Sequence, residues 1–235
     1  MKVLRLHPWR VTPRQARRIQ LRLRDRVDQR DHIGSLREFT RGRDRYVAGA
    51  DVALDLARRR AIAGVVLFRF PQLEEVERVF AVQPLTFPYV PGLLSFREAP
   101  ALLAAFRKLR RAADLIFIDG HGYAHPRRFG IACHMGLLLG RPTIGCAKSL
   151  LIGGHAALPA AVGRRAPLLD NAETIGAAVR TRRGVKPVYV SVGHRISLAR
   201  AVEFTLAVAD GFRIPRPTRM ADHFVEVTKC RELAE

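Results

Sequence analysis

The stretch YVAGADVALDLARRRAIAGVVLFRFPQLEEVERVFAV, residues 46–82, decides the fold. It divides into three runs, Tyr46–Leu54, Ala61–Phe70 and Val76–Val82, each β-branched or alternating and bounded by short charged connectors. Connectors this short cannot carry a crossover helix, so neighbouring runs pair antiparallel as a three-stranded meander. Downstream, past a Pro/Gly-rich loop from Pro84 to Gly92, the period changes. Leu102, Leu103, Phe106 and Leu109 recur at helical spacing within Arg97–Arg111, and Leu115–Ile118 is a short, wholly apolar strand. Pro126–Leu139 reads as a helix with proline in its first turn, and Pro142–Ala147 as another buried strand. Thr174–Thr181 and Pro187–Val192, joined around Arg183-Gly184, suggest a hairpin; a last helix, Ser197–Ala209, stops at Gly211. Upstream, Ala16, Ile19, Leu23 and Val27 stripe an arginine-rich segment, Pro13–Asp31, as a basic amphipathic helix, and Arg41–Asp44 is a turn. The expectation is an α/β fold: one mixed sheet, an antiparallel meander followed by parallel strands, flanked by helices.

With 235 residues and 48% hydrophobic composition the chain can build one sizeable core, so wholesale disorder is excluded. No internal repeat or low-complexity linker appears. A single domain over 1–235 is expected, with a basic helical segment (1–45), a core (46–222) and a C-terminal tail (223–235). No apolar run approaches the roughly 18 residues of a membrane span. The start, MKVLRLHPWR, is broken by Lys2, Arg5 and Arg10, and the three cysteines form no paired framework, so a cytoplasmic protein without membrane attachment is expected. Net charge is +20, and residues 1–45 alone hold fourteen Lys/Arg against five Asp/Glu. Such an excess favours a polyanionic partner, although a solvated basic surface is the alternative.

In a chain so short of acids, carboxylates amid apolar residues stand out. Asp51 lies inside YVAGADVAL and Asp119 ends the strand LIFID before Gly120-His121-Gly122, at the carboxyl end of a strand, where open α/β sheets place ligands. Converging carboxylates suit Mg²⁺, which takes oxygen ligands, and such a site can activate water for phosphodiester hydrolysis. Each acid also has a plainer reading. Ser95-Phe-Arg-Glu98 fits a capping box, Asp119 before glycine fits a turn, and Asp222, past the last expected helix, fits a cap. Only Asp51 resists one. His125 could cap a helix or handle a proton beside phosphate; Lys148 could be solvated or offset phosphoryl charge. No Walker A, GxGxxG or GxSxG motif is present.

Together, VAGADVAL (47–54), PYVPGLLSFREAPALLAAF (88–106), the block 115–151 containing DGHGYAHPRR, and GHRISLARAVEF with GFRIPRPTRMAD (193–222) resemble the endonuclease V family. The motifs YxPGxLSFRE and DGHGxxHPRR are long and occur in the family's order over most of 46–222. The resemblance implies an RNase H-like fold and a DNA repair endonuclease that recognises deaminated adenine (deoxyinosine). Such an enzyme cuts the second phosphodiester bond 3′ to the lesion, using Mg²⁺ with Mn²⁺ as a substitute, and leaves 3′-hydroxyl and 5′-phosphate ends.

The resemblance also implies roles at matching positions. Asp51, Glu98 and Asp119 are metal ligands; Asp222 is a further catalytic acid, and His125 and Lys148 are catalytic supports. Pro88, Tyr89, Val90 and Pro91 form a strand-separating wedge, with valine where isoleucine is usual. Gly92, Leu94, Gly120, Gly122, Gly145 and Leu151 form the pocket for the flipped base. The basic helix and Arg127 and Arg128 are expected on phosphates. Extruding hypoxanthine, which pairs poorly, costs less than extruding a normal base, and proline-stiffened loops suit a wedge. The expected working unit is a monomer. Three alternatives remain: an inosine-specific ribonuclease acting on RNA, a non-catalytic nucleic-acid-binding protein on the same scaffold, and a structure-specific RNase H-like nuclease without base preference.

Overall fold

The structure, a computed structural model, describes residues 1–234. The meander forms as expected: β1 (Arg45–Asp55), β2 (Arg60–Phe70) and β3 (Glu74–Pro84) pair antiparallel in sequence. Helix α3 (Leu94–Lys108) leads to β4 (Leu115–Asp119), which lies parallel to β1; α4 (Ile131–Leu139) leads to β5 (Thr143–Ala147), parallel to β4. The strands β6 (Arg165–Asp170), β7 (Glu173–Val179) and β8 (Val188–His194) complete an eight-stranded sheet ordered β3-β2-β1-β4-β5-β8-β7-β6. Helices α5 (Leu198–Ala207) and α6 (Arg216–Ala234) follow; α1 (Pro13–Arg24) and the single-turn α2 (Leu36–Phe39) precede the sheet.

Alternation along the strands sorts the core into two layers. Ala48 and Ala50 of β1 and Ile116 and Ile118 of β4 pack with α3 and α4. Val47, Leu115 and Phe117 face the other way, with Phe204 of α5 and Ala221 of α6. Asp51 and Asp119 keep the parity of this second set and therefore face the α6 side. Helix α6 lies close over the sheet because β1 offers it no side chain at Gly49: a Cβ there would stand 1.9 Å from the Pro217 carbonyl oxygen.

Several expected elements differ. The residues 223–234, expected as a tail, belong to α6, and Glu235 lies outside the described residues. The helix ending near Gly211 is therefore not the last, and Asp222 sits within α6 instead of capping a helix. The helix expected from Pro126 starts only at Ile131. Arg128 takes a left-handed φ of 53°, which interrupts helical geometry, and Gly130 is the N-cap. The expected helix to Asp31 ends at Arg24, and Thr12 with Gln15 forms a capping box at its start. The strand β6, RAPLLD, escaped notice because proline interrupts its pattern, which a sheet edge tolerates.

Candidate active site

Three acids from three elements meet where β4 ends at Asp119 beside Asp51 in the middle of β1. Ala50 pairs with Ile118 in the parallel register, so the next residues, Asp51 and Asp119, emerge side by side. Asp222 comes down from α6, and one carboxylate oxygen from each of the three lies within 4.8 Å of the others. Lys148, just past β5, donates to Asp119 Oδ2 at 2.7 Å and Asp222 Oδ1 at 3.0 Å. The Lys148 backbone is itself held, its carbonyl accepting from the Arg213 guanidinium.

Glu98, on α3, is not one of the three acids whose carboxylate oxygens lie within 4.8 Å of one another. Its expected capping box is absent: the helix starts at Leu94, no side chain caps it, and Ser95 is turned inward to bond His134. Glu98 is nonetheless electrostatically linked to the site. Burial, then the charge of Asp119, pushes its carboxyl up to about 8. Burial and Asp119 likewise raise Asp51 to about 8. Asp119 is raised by burial, against the opposing hydrogen bond from Lys148. Lys148 is raised: burial works against its charge, but the hydrogen bonds and negative charges of Asp119 and Asp222 together outweigh that.

Burial and neighbouring acids hold Asp51, Glu98 and Asp119 above the usual carboxylate range, so the carboxylates gathered here leave the site short of positive charge. One ammonium serves two of them, and an all-oxygen donor set at this spacing fits a hard divalent cation. The acids can hold a metal ion.

Next to the acids is a cavity of about 180 Å³ lined by Tyr89, Val90, Pro91, Gly92, Leu94, Gly120 and Leu151, among others. Tyr89 at its rim is 72% exposed, on a loop with prolines on both sides, and Pro88 beside it is exposed. Of the residues expected in the base pocket, Gly92, Leu94, Gly120 and Leu151 line this cavity. Gly122 and Gly145 do not. They serve packing: a Cβ on Gly122 would meet the Val192 carbonyl at 2.1 Å, and one on Gly145 the Gly122 nitrogen at 2.5 Å. His121 lines the cavity too, its Nε2 donating to the Ser149 carbonyl at 3.0 Å.

His125 is buried and uses both ring nitrogens. Nε2 donates to the Gly92 carbonyl at 3.0 Å and Nδ1 accepts from the Arg127 backbone at 3.1 Å. Burial, aided by the Arg127 charge, lowers it to about 4, so it is neutral and anchors the cavity loop. Arg127 and Gln20 donate to that same carbonyl, at 2.7 and 3.0 Å. Gln20 also donates to Phe129 and accepts from Arg127 Nε. Sequence reading missed Gln20; the available signal was a polar side chain falling at 16, 20, 23 on the apolar stripe of α1. Arg128 is turned inward as well, paired to Asp170 at 2.8 Å and Glu173 at 2.7 Å.

Comparison with known proteins agrees with this geometry. The sequence model described as endonuclease V matches residues 25–223. The curated endonuclease V of Roseiflexus castenholzii is 49% identical over 216 residues, covering 92% of this chain and 93% of that protein. The crystal structure of endonuclease V from Streptomyces avermitilis superposes with a TM-score of 0.88 at 42% identity, covering all of both chains. Endonuclease V of Ciona intestinalis, solved with a 24-mer DNA containing an inosine followed by a ribo-adenosine, gives a TM-score of 0.78 at 26% identity over 93% of this chain and 98% of that one. With an eight-stranded mixed sheet, a carboxylate trio and relatives matched nearly end to end, the chain belongs to the endonuclease V family of nucleases.

Proposed function

We propose that the protein nicks DNA at deoxyinosine, hydrolysing the second phosphodiester bond 3′ to the lesion and leaving 3′-hydroxyl and 5′-phosphate ends. The observation that carries this reading is the juxtaposition of three converging carboxylates with a base-sized cavity rimmed by an exposed tyrosine. Asp51 and Asp119, with Glu98 from α3, would hold Mg²⁺ or Mn²⁺, and Asp222 flanks them. The ion would supply the charge that activates water and stabilises the leaving oxygen.

The other steps rest on this chain's own residues. Tyr89, between Pro88 and Val90-Pro91, enters the duplex and takes the place of the extruded base. The cavity of Gly92, Leu94, Gly120 and Leu151 receives that base, with Gly122 and Gly145 behind it keeping strands close. Lys148, once the carboxylates are neutralised, offers its ammonium to the phosphoryl oxygens as negative charge grows. His125 holds Gly92 in place. Arg127, Arg128 and the arginines of α1 take backbone phosphates, Arg128 by exchanging its carboxylate partners for phosphate. All these groups come from one chain, so a monomer suffices. Among the described residues no helix is long and apolar enough to cross a membrane, and a cytoplasmic site of action fits the free thiols.

The test is a nicking assay on end-labelled duplexes differing only by deoxyinosine in place of adenine, with Mg²⁺ or EDTA. A metal-dependent nick 3′ to inosine, absent from the control, is expected; equal cutting of both refutes lesion recognition. The Ciona complex, with ribose after its inosine, favours a second reading in which RNA is the better substrate. A third duplex with a ribonucleotide at that position separates the two.

A further inference from the structure

Behind the cavity wall runs a chain of buried polar groups that the catalytic reading does not use. His7 Nδ1 lies 2.8 Å from the Pro8 carbonyl, and His7 Nε2 lies 2.6 Å from His134 Nε2. His134 Nδ1 lies 3.0 Å from Ser95 Oγ, and Ser95 lines the cavity. His134 and Ser95 are 0% and 2% exposed, His7 7%. Trp9, Phe96 and Phe129 pack around the His134 ring, whose two nitrogens face His7 and Ser95.

Each link has only one possible direction. A carbonyl accepts, so His7 Nδ1 carries the hydrogen, and a neutral His7 offers Nε2 as acceptor. His134 must then donate from Nε2, which leaves its Nδ1 an acceptor that takes the Ser95 hydroxyl hydrogen. Desolvation by burial lowers both imidazoles, consistent with two neutral rings. The Ser95 hydroxyl has therefore spent its one hydrogen inside the protein. Toward the cavity it can only accept.

We infer that His7 and His134 are positioning residues that fix Ser95 as an obligate hydrogen-bond acceptor, so that the cavity selects a base presenting a ring N–H. This rests on the proposed function and deepens it. Hypoxanthine is a lactam and carries hydrogen on N1, whereas adenine presents a bare nitrogen lone pair there. Two opposed lone pairs in a buried site leave both unsatisfied, which discriminates more strongly than a missing contact. The segment 1–11, outside the matched family region, thereby acts on specificity through α4 and α3.

Two measurements test it. Imidazole ¹⁵N–¹H correlation spectra of the intact protein should show His7 as the Nδ1–H tautomer and His134 as the Nε2–H tautomer; the opposite tautomer at His134 overturns the inference. Binding is then read in EDTA, without cleavage, on single strands carrying deoxyinosine, deoxyadenosine or deoxynebularine, a purine without hydrogen on N1. Ser95→Ala should weaken the inosine strand by roughly two- to tenfold and leave the nebularine strand unchanged or bound more tightly, since the opposed lone pair is gone. His7→Ala should lower the inosine-to-nebularine ratio similarly. His7→Gln, whose amide oxygen can accept from His134, should restore it. Equal losses on both strands, or a ratio insensitive to His7, overturn the inference while leaving lesion recognition standing. A wild-type protein that binds inosine no better than adenosine overturns both.

Discussion

Replacing Glu98 by glutamine should stabilise the metal-free protein, and more so as pH rises. Glu98 has no salt-bridge partner among the described residues, and burial with the nearby Asp119 charge raises its carboxyl from 4.5 to about 8. Between those values the folded chain keeps a proton that the unfolded chain has lost. Stability associated with the group is therefore full below pH 4.5 and is lost as pH rises toward 8. Each pH unit in that window costs about 1.4 kcal/mol, which gives about 3 kcal/mol at pH 7 and less than about 1 kcal/mol at pH 5. Glutamine keeps the neutral shape and has no proton to lose. In a chain of this length about 3 kcal/mol corresponds to a melting shift of roughly 6–12 °C. The assay is thermal unfolding in EDTA from pH 5 to 8, wild type beside Glu98→Gln. Curves that run parallel across this range, or a variant less stable at pH 8, would refute the account of Glu98 as a strained buried acid.

Asp119→Ala should abolish nicking while leaving affinity for an inosine strand within about twofold, since one charge is removed from a site that repels phosphate; retained cleavage would show that the trio is not catalytic. Tyr89→Ala should leave the melting temperature unchanged, because the ring is 72% exposed, yet slow nicking of duplex more than of single strand. An equal effect on both would exclude strand separation by this residue. Gly49→Ala should cost about 1–3 kcal/mol and lower turnover, because the new methyl displaces Pro217 and with it Asp222; a stable, fully active variant would show that α6 need not sit so close.

The meander and the parallel strands were legible because their signals are local: alternation, β-branching and short connectors. Asp51 and Asp119 were legible because a carboxylate amid core residues calls for compensation. Glu98 misled because Ser95 and Glu98 have capping-box spacing, and only the tertiary fold turns Ser95 inward toward His134, contributed by a helix 39 positions away. The region 126–130 misled because a proline followed by arginines suits a first helical turn, while the pairing of Arg128 with Asp170 and Glu173 selects a left-handed bend. Helix α6 was hidden by Pro217 near its start and by charges scattered around its circumference. Its docking depends on small residues at Gly49 and Gly64 in distant strands, which no window along α6 contains. Gln20 was overlooked for a related reason: its partners, Gly92, Phe129 and Arg127, are meaningful only once α1 lies against the cavity.

The order in which the three acids appear along the chain has a consequence for synthesis. Asp51 and Asp119 precede most of the chain's second half, whereas Asp222 comes from α6, which follows all eight strands of the sheet. The carboxylate trio can therefore close only after every strand has been translated, and a nascent chain that stops short of α6 holds two of the three acids.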